Sequence, residues 1–238
     1  MITEVLTGKK EWCLLQGDCM QVLRDIPSST IDAVVADPPY GIAYRSRVNG
    51  TVRNDRRPFI WWLNEAYRVL RHRGALLCFS RWDVQDVWRV AIEAAGFTVR
   101  SQVVWDRLVH SAGNVMQQFA PRHDVAWFAT KGPFRFPKHR PQSVIAVKRV
   151  HYRDAKHPTE KPFELLRQIV TAIAPEGGVV LDPCAGAGST GLAAVFERRR
   201  FIGIELDEKH ALTARQRLQA ITVADCTRPE TLASQTER

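Results

Sequence analysis

Short apolar, β-branched or aromatic runs alternate along the chain with stretches whose apolar residues recur at helical spacing. Runs of strand length lie at Trp12–Leu15, Ile31–Ala36, Ala75–Ser80, Thr98–Trp105, Asp124–Thr130, Val179–Leu181 and Phe201–Glu205. Helical spacing occupies Phe59–Leu70, Val84–Ala95, Pro162–Ile173, Ser189–Arg199 and Asp207–Ala220. Gly74 and Gly96 stand where the first two should stop. Pro162 falls in the first turn of the third, where its missing N–H costs nothing. Strands alternating with helices predict an α/β fold, a largely parallel sheet with helices on both faces. The stretch Lys131–His157 breaks the rhythm with Pro133, Pro137 and Pro141 and reads as an inserted, irregular segment. From Thr222 the chain turns polar, so one domain over 1–221 and a frayed tail over 222–238 are expected.

Composition narrows the classes. With 238 residues, 45% hydrophobic and 25% charged, the chain is an ordinary globular one, a single domain or a domain with an insertion. No apolar run approaches the roughly 18 residues of a membrane span. The opening MITEVLTGKKEW has no signal-peptide pattern, so a cytoplasmic protein is expected. Five scattered cysteines, odd in number and without a C-x-x-C pair, read as free thiols rather than disulfides or a zinc site. The formal charge of +9 is concentrated. Gly41–Pro58 holds five arginines against Asp55 alone, net +4, and Lys131–Lys156 holds eight basic residues against Asp154, net +7. The remainder is slightly acidic. Charge runs are commonly just a solvated surface, but two such stretches on a balanced body are also what a phosphate backbone demands of its partner.

Two motifs carry chemistry. Val179–Gly191 reads as strand, glycine-rich turn and helix start; Gly186, Gly188 and Gly191 fit G-x-G-x-x-G, and Glu205 ends the next strand-like run. Glycines there let the backbone approach a ligand, and an acid at the next strand end can bind ribose hydroxyls. That pattern fits a nicotinamide oxidoreductase or any enzyme holding an adenosine-type cofactor. Only one strand-like run follows it, so most of the sheet must precede it, a permuted order that counts against an ordinary dehydrogenase. The second motif is Asp37-Pro38-Pro39-Tyr40, directly after the apolar run Ile31–Ala36. Consecutive prolines make a stiff turn with free carbonyls. An acid, a rigid carbonyl and an aromatic ring suit a planar amine; the plainer alternative is a proline turn with Tyr40 as packing.

In this order the two motifs resemble the β-class amino DNA methyltransferases, which methylate exocyclic amines of adenine or cytosine. The resemblance runs from about Trp12 to His210. Gly17-Asp18-Cys19 looks like the family's G-D-x element, Leu63–Leu70 with Gly74 like its R-V-L…G-G region, His157-Pro-Thr-Glu-Lys-Pro162 like its H-P-T-x-K-P element, and Ile202–Asp207 like its G-x-E element. Departures are Cys184 where phenylalanine is common, Trp105-Asp106-Arg107 where a lysine often ends the triplet, and His123-Asp124 in place of His-Glu.

The resemblance implies a permuted, Rossmann-like seven-stranded sheet, S-adenosylmethionine as cofactor, double-stranded DNA as partner and no metal. Asp37, Pro38, Pro39 and Tyr40 would be catalytic. Asp18, Cys19, Asp37, His157, Thr159, Lys161, Asp182, Pro183, Cys184, Ala185, Gly186, Gly188, Ser189, Thr190, Glu205 and Leu206 would line the cofactor, with Thr159 and Lys161 toward its methionine carboxylate and Glu205 on its ribose. Arg45, Arg47, Arg53, Arg56 and Arg57 would close over DNA. Arg135, Lys138, Arg140, Lys148, Arg149 and Arg153, interleaved with Phe134, Phe136 and Tyr152, would form a short target-recognition insert. Asp at the head of the tetrapeptide favours adenine N6; Ser is the commoner mark of cytosine-N4 enzymes. A cytosine-N4 enzyme, an inactive DNA-binding regulator and a nicotinamide oxidoreductase remain as alternatives. A monomer or homodimer, with or without a cognate restriction enzyme, fits the resemblance.

Overall fold

The structure is a computed structural model and describes residues 1–42, 45–46, 50–51, 55–110, 116–138, 140–151 and 160–221. In chain order the elements are α1 (Ile2–Leu6), β1 (Trp12–Gln16), α2 (Cys19–Val22), a 3-10 turn (Leu23–Asp25), β2 (Ile31–Ala36), β3 (Arg45–Ser46), β4 (Gly50–Thr51), α3 (Leu63–Val69) and β5 (Leu70–Ser80). There follow α4 (Gln85–Ala94), β6 (Thr98–Asp106), β7 (His123–Thr130), β8 (Val144–Ala146), α5 (Phe163–Ile173), β9 (Val179–Asp182), α6 (Ser189–Phe196), β10 (Arg200–Glu205) and α7 (Glu208–Ala220).

The main sheet has eight strands in the order β1-β10-β9-β2-β5-β7-β6-β8. All are parallel except β7, which runs against both β5 and β6. All seven expected strands form. The eighth, β8, comes from the segment read as irregular, and corrects the expected count of seven. It is only three residues long and follows Pro141, too short for any periodicity to show. Val104 N donates to Ser143 O at 2.7 Å and locks it beside β6. A separate two-stranded ladder joins β3 to β4.

Burial of both sheet faces follows from the sequence pattern. In β2, Ala33 and Val35 lie in one core layer and Val34 and Ala36 in the other, each at most 1% exposed. That is why the stretch Ala33–Ala36 is continuously apolar rather than alternating. The first layer is closed by α5, α6 and α7 through Leu165, Ile169, Ala193, Ala214 and Leu218; the second by α1, α3 and α4 through Val5, Leu63, Ala66, Trp88 and Ile92. The expected helix at Phe59 begins instead at Leu63, because Phe59 N donates to Pro39 O at 3.4 Å, drawing that stretch to the strand-end loop. No helix among the described residues is long and apolar enough to cross a membrane.

Gly191 shows how tightly α6 meets β10. A Cβ there would lie 2.5 Å from Cε1 of the fully buried Phe201 ring. In an exposed helix, glycine to alanine gains about 1 kcal/mol, whereas overpacking a core costs about 1–3 kcal/mol. Gly191→Ala is therefore expected to lose about 1 kcal/mol of unfolding free energy; a raised urea midpoint would show that Phe201 yields.

Candidate active site

The sheet reverses direction of growth between β2 and β9: β2 leads on to its neighbour β5, and β9 leads to β10 on the opposite side. Ligands of open α/β sheets bind beyond the carboxyl ends of the strands at such a point. Asp37 directly follows β2 and Asp182 ends β9, so both motifs meet at this crevice. Glu205 ends the neighbouring β10 and Asp18 lies just past β1. Four adjacent parallel strands thus deliver four carboxylates to one edge.

The glycine-rich turn is braced from behind. Ala185 N donates to Ile204 O at 2.9 Å and Gly188 N to Ala185 O at 2.8 Å. Gly188 has φ +81°, and a Cβ on it would lie 2.9 Å from the Cβ of Ala214, so glycine is required on both counts. Glu205 accepts from Gly186 N through Oε2 at 2.7 Å and from Asp207 N through Oε1 at 2.8 Å. Each carboxylate oxygen keeps a second lone pair for a ligand hydroxyl. Asp18 caps α2, accepting from Met20 N at 2.9 Å. Interaction with the neighbouring Cys19 thiol, together with burial, holds the Cys184 thiol well above its ordinary pKa. Leu206 is partly exposed, its carbonyl accepting from Gln16 Nε2 at 3.2 Å.

Asp182 is buried, and desolvation pushes its pKa up to about 7; hydrogen bonds from Thr190 and Cys184 N oppose the rise, and the charges of Asp37 and Glu205 add to it. Glu160, inside the H-P-T-x-K-P element, accepts from Ser189 Oγ at 3.0 Å and pairs with Arg217 Nη2 at 2.7 Å. Arg217 also donates to Ala187 O at 2.8 Å, so α7 and Glu160 together hold the cofactor-type loop.

At the tetrapeptide, the Tyr40 hydroxyl donates to Asp37 Oδ1, and Lys161 Nζ lies 2.5 Å from Asp37 Oδ2 and 3.3 Å from Tyr40 Oη. Burial, then the Asp37 charge, raises the Tyr40 phenol well above its ordinary range, so it stays a neutral donor. The turn after Tyr40 is set by Asp55, which accepts from Gly41 N at 2.6 Å. Gly41 has φ +86°, and a Cβ there would lie 2.1 Å from Pro58 N. Asp55 and Glu160 were missed as site residues. Asp55 had one signal, being the lone acid among five arginines.

The structure therefore unites Asp37, Tyr40, Lys161, Asp182, the Pro183–Thr190 turn and Glu205 at one sheet edge, with Asp18 and Cys19 beside them. Of the basic residues, Arg56, Arg57, Arg135, Lys138, Arg140, Lys148 and Arg149 are exposed. Arg45 lies in β3. Arg47, Arg53, Tyr152, Arg153, His157 and Thr159 lie outside the described residues, as does the segment 222–238. One expectation is corrected: Phe134 and Phe136 do not project toward a partner. They pack on Phe128 at centroid distances of 5.4 and 5.5 Å, joining the core. Lys131 is likewise used internally, donating to Tyr67 O at 2.6 Å and Leu70 O at 2.8 Å at the end of α3.

A permuted α/β sheet with a glycine-rich turn and the Asp37-Pro38-Pro39-Tyr40 turn at its switch point is an arrangement of the methyltransferase kind. A family model described as DNA methylase, covering the N6 and N4 methyltransferases, matches residues 31–216, and the chain belongs to this family. YubD of Escherichia coli (strain K12), a protein named as a methylase, is 34% identical over 211 residues, 87% of this chain and 90% of its own. Among solved structures, the M1.HpyAVI–SAM complex aligns with a TM-score of 0.69 at 22% identity, over 87% of this chain and all of the other. The cytosine-N4-specific PvuII DNA methyltransferase aligns with a TM-score of 0.71 at 15% identity, over 92% and 90% of the two chains.

The Asp182 pKa has a consequence for stability. Between its ordinary value of 3.8 and about 7 the folded chain keeps a proton that the unfolded chain releases, so its contribution falls as pH rises through that window. Asp182→Asn cannot ionise there. Urea unfolding at pH 5 and pH 8 is expected to show the variant gaining on the wild type at pH 8; a constant difference would place Asp182 in a solvated setting.

Proposed function

We propose that the protein transfers a methyl group from S-adenosylmethionine to the N6 amine of adenine in double-stranded DNA. Carrying this reading is the amine-binding group, Asp37 with Tyr40, set beside the braced glycine turn on a four-carboxylate edge. The donor set suits that cofactor: Glu205 retains acceptor capacity for ribose hydroxyls, Asp18 for an amine, and the clustered negative charge favours a sulfonium and an ammonium. Bound there, S-adenosylmethionine supplies an electrophilic methyl group.

The chain's own part is alignment, a contribution of several kcal/mol when two reactants are held in line. Asp37 and the Pro38 carbonyl accept the two amine hydrogens, turning the nitrogen lone pair toward the methyl donor, and Tyr40 offers its ring face for the base to stack on. A base inside a duplex is out of reach, so the nucleotide is flipped out at a cost of a few kcal/mol. The exposed arginines and lysines of the two basic stretches neutralise backbone phosphates. Adenine rather than cytosine follows from the acid that opens the tetrapeptide, on the family's own pattern. The cytosine-N4 reading is the alternative, and PvuII DNA methyltransferase, with a similar fold, is such an enzyme.

Nucleoside mass spectrometry of duplex DNA incubated with protein and cofactor is expected to yield N6-methyladenine. N4-methylcytosine would change the base and keep the reaction; the absence of any methylated base across diverse DNAs would overturn the proposal. Asp37→Asn is expected to lose about 10²-fold or more in the transfer rate while cofactor affinity persists. DNA affinity should fall steeply with salt, by about 0.9 in log–log slope per phosphate neutralised; a flat response would exclude a phosphate footprint.

A further inference from the structure

We infer that Lys161 is a positioning residue for the transfer step, holding the Asp37 carboxylate and the Tyr40 hydroxyl where they receive the target amine. The inference rests on the methyltransferase reading above and assigns one residue within it.

The ammonium of Lys161 is enclosed. The residue is 7% exposed, and Nζ lies 2.5 Å from Asp37 Oδ2, 3.3 Å from Tyr40 Oη, 4.9 Å from the Phe79 ring centroid and 5.8 Å from the Tyr40 ring centroid. A buried ammonium needs a carboxylate partner, and two aromatic faces within about 6 Å supply further attraction. The position is built by the fold. α5 packs Leu165, Leu166 and Ile169 into the same core layer as Ala33 and Val35 of β2 and Leu77 and Phe79 of β5. The residue two before that helix is thereby delivered to the carboxyl ends of these strands.

The geometry fixes Asp37 from both sides. Lys161 engages Oδ2 and the Tyr40 hydroxyl engages Oδ1, so the carboxylate plane is set before an amine arrives. A carboxylate has about four lone-pair sites, so the two oxygens still have room for an N–H donor. Without the lysine, Asp37 would be free to turn, and Tyr40 would lose a partner. The effect should then fall on the transfer rate, through Asp37, and not on cofactor binding.

The test measures single-turnover methyl transfer to duplex DNA and, separately, equilibrium S-adenosylmethionine affinity by calorimetry. It compares the full-length wild type, Lys161→Met and Lys161→Arg. Lys161→Met is expected to lose about 10²-fold in rate at saturating cofactor, with affinity changed less than about threefold, within the spread of a contact not made. Lys161→Arg, which keeps the charge, should recover part of the rate. Should Lys161→Met not fold, the same split is read from Lys161→Arg, whose longer, planar group displaces Asp37 and lowers rate without lowering affinity. Affinity weakened about tenfold or more with the rate retained would assign the lysine to the cofactor and overturn the inference. So would a variant unchanged in both quantities. Methylation by the wild type alongside either result keeps the underlying methyltransferase reading intact; a wild type without methylation overturns both together.

Discussion

Four carboxylates at the ends of four adjacent strands are the constraint around which this structure is arranged. Negative charges brought together are costly, most of all where burial removes them from water, as at Asp182, and less where water still reaches them, as at the exposed Asp18. Asp37 has Lys161; Glu205 has the backbone amides of Gly186 and Asp207; Asp182 has Cys184 N and Thr190; Asp18 has Met20 N. Of these, Asp182 is the least relieved, and burial leaves its pKa near neutrality. The same edge is consequently receptive to a cationic ligand, which is what a sulfonium donor would be.

Each of those partners comes from a different segment, and the sheet order is what brings them together. Lys161 and Asp37 stand 124 residues apart in the chain. They meet because α5 lies over β2 and β5, with its apolar face in one core layer. Glu205 reaches Gly186 because β9 and β10 are parallel neighbours joined by α6. The glycine turn is further clamped by Arg217 and Glu160, so α7 and the start of α5 brace the cofactor-type loop as well as the core. Packing and chemistry are thus coupled: loosening either helix would shift a charged group at the site.

Conformational demands sit where these segments turn. Gly41 and Gly188 both take left-handed backbone with no space for a side chain. Asp55 fixes the first turn through the Gly41 amide, and the proximity of α7 requires the second to remain glycine. Both turns are rigid for reasons of hydrogen bonding and van der Waals contact, which suits a reaction whose main requirement is alignment.

Local pattern alone determined much of this protein. Apolar, β-branched or aromatic runs marked the seven longer strands, helical spacing marked α3 to α7, and turn chemistry placed Asp37–Tyr40 and Gly186–Gly191 at strand ends. These are properties of a few consecutive residues, and the periods of strand and helix make them readable. Tertiary structure decided what long side chains and short elements do. Lys161 lies on Asp37, a pairing that no spacing in the sequence announces, Phe134 and Phe136 were expected at a partner but join Phe128, and Lys131 caps α3. β8 is too short to carry a period and exists because β6 offers it an edge. Asp55 and Glu160 gained their roles only from amides and hydroxyls brought to them across the fold. A side chain several bonds long reaches many partners, and burial selects among them by whichever charge or donor the neighbouring strand presents.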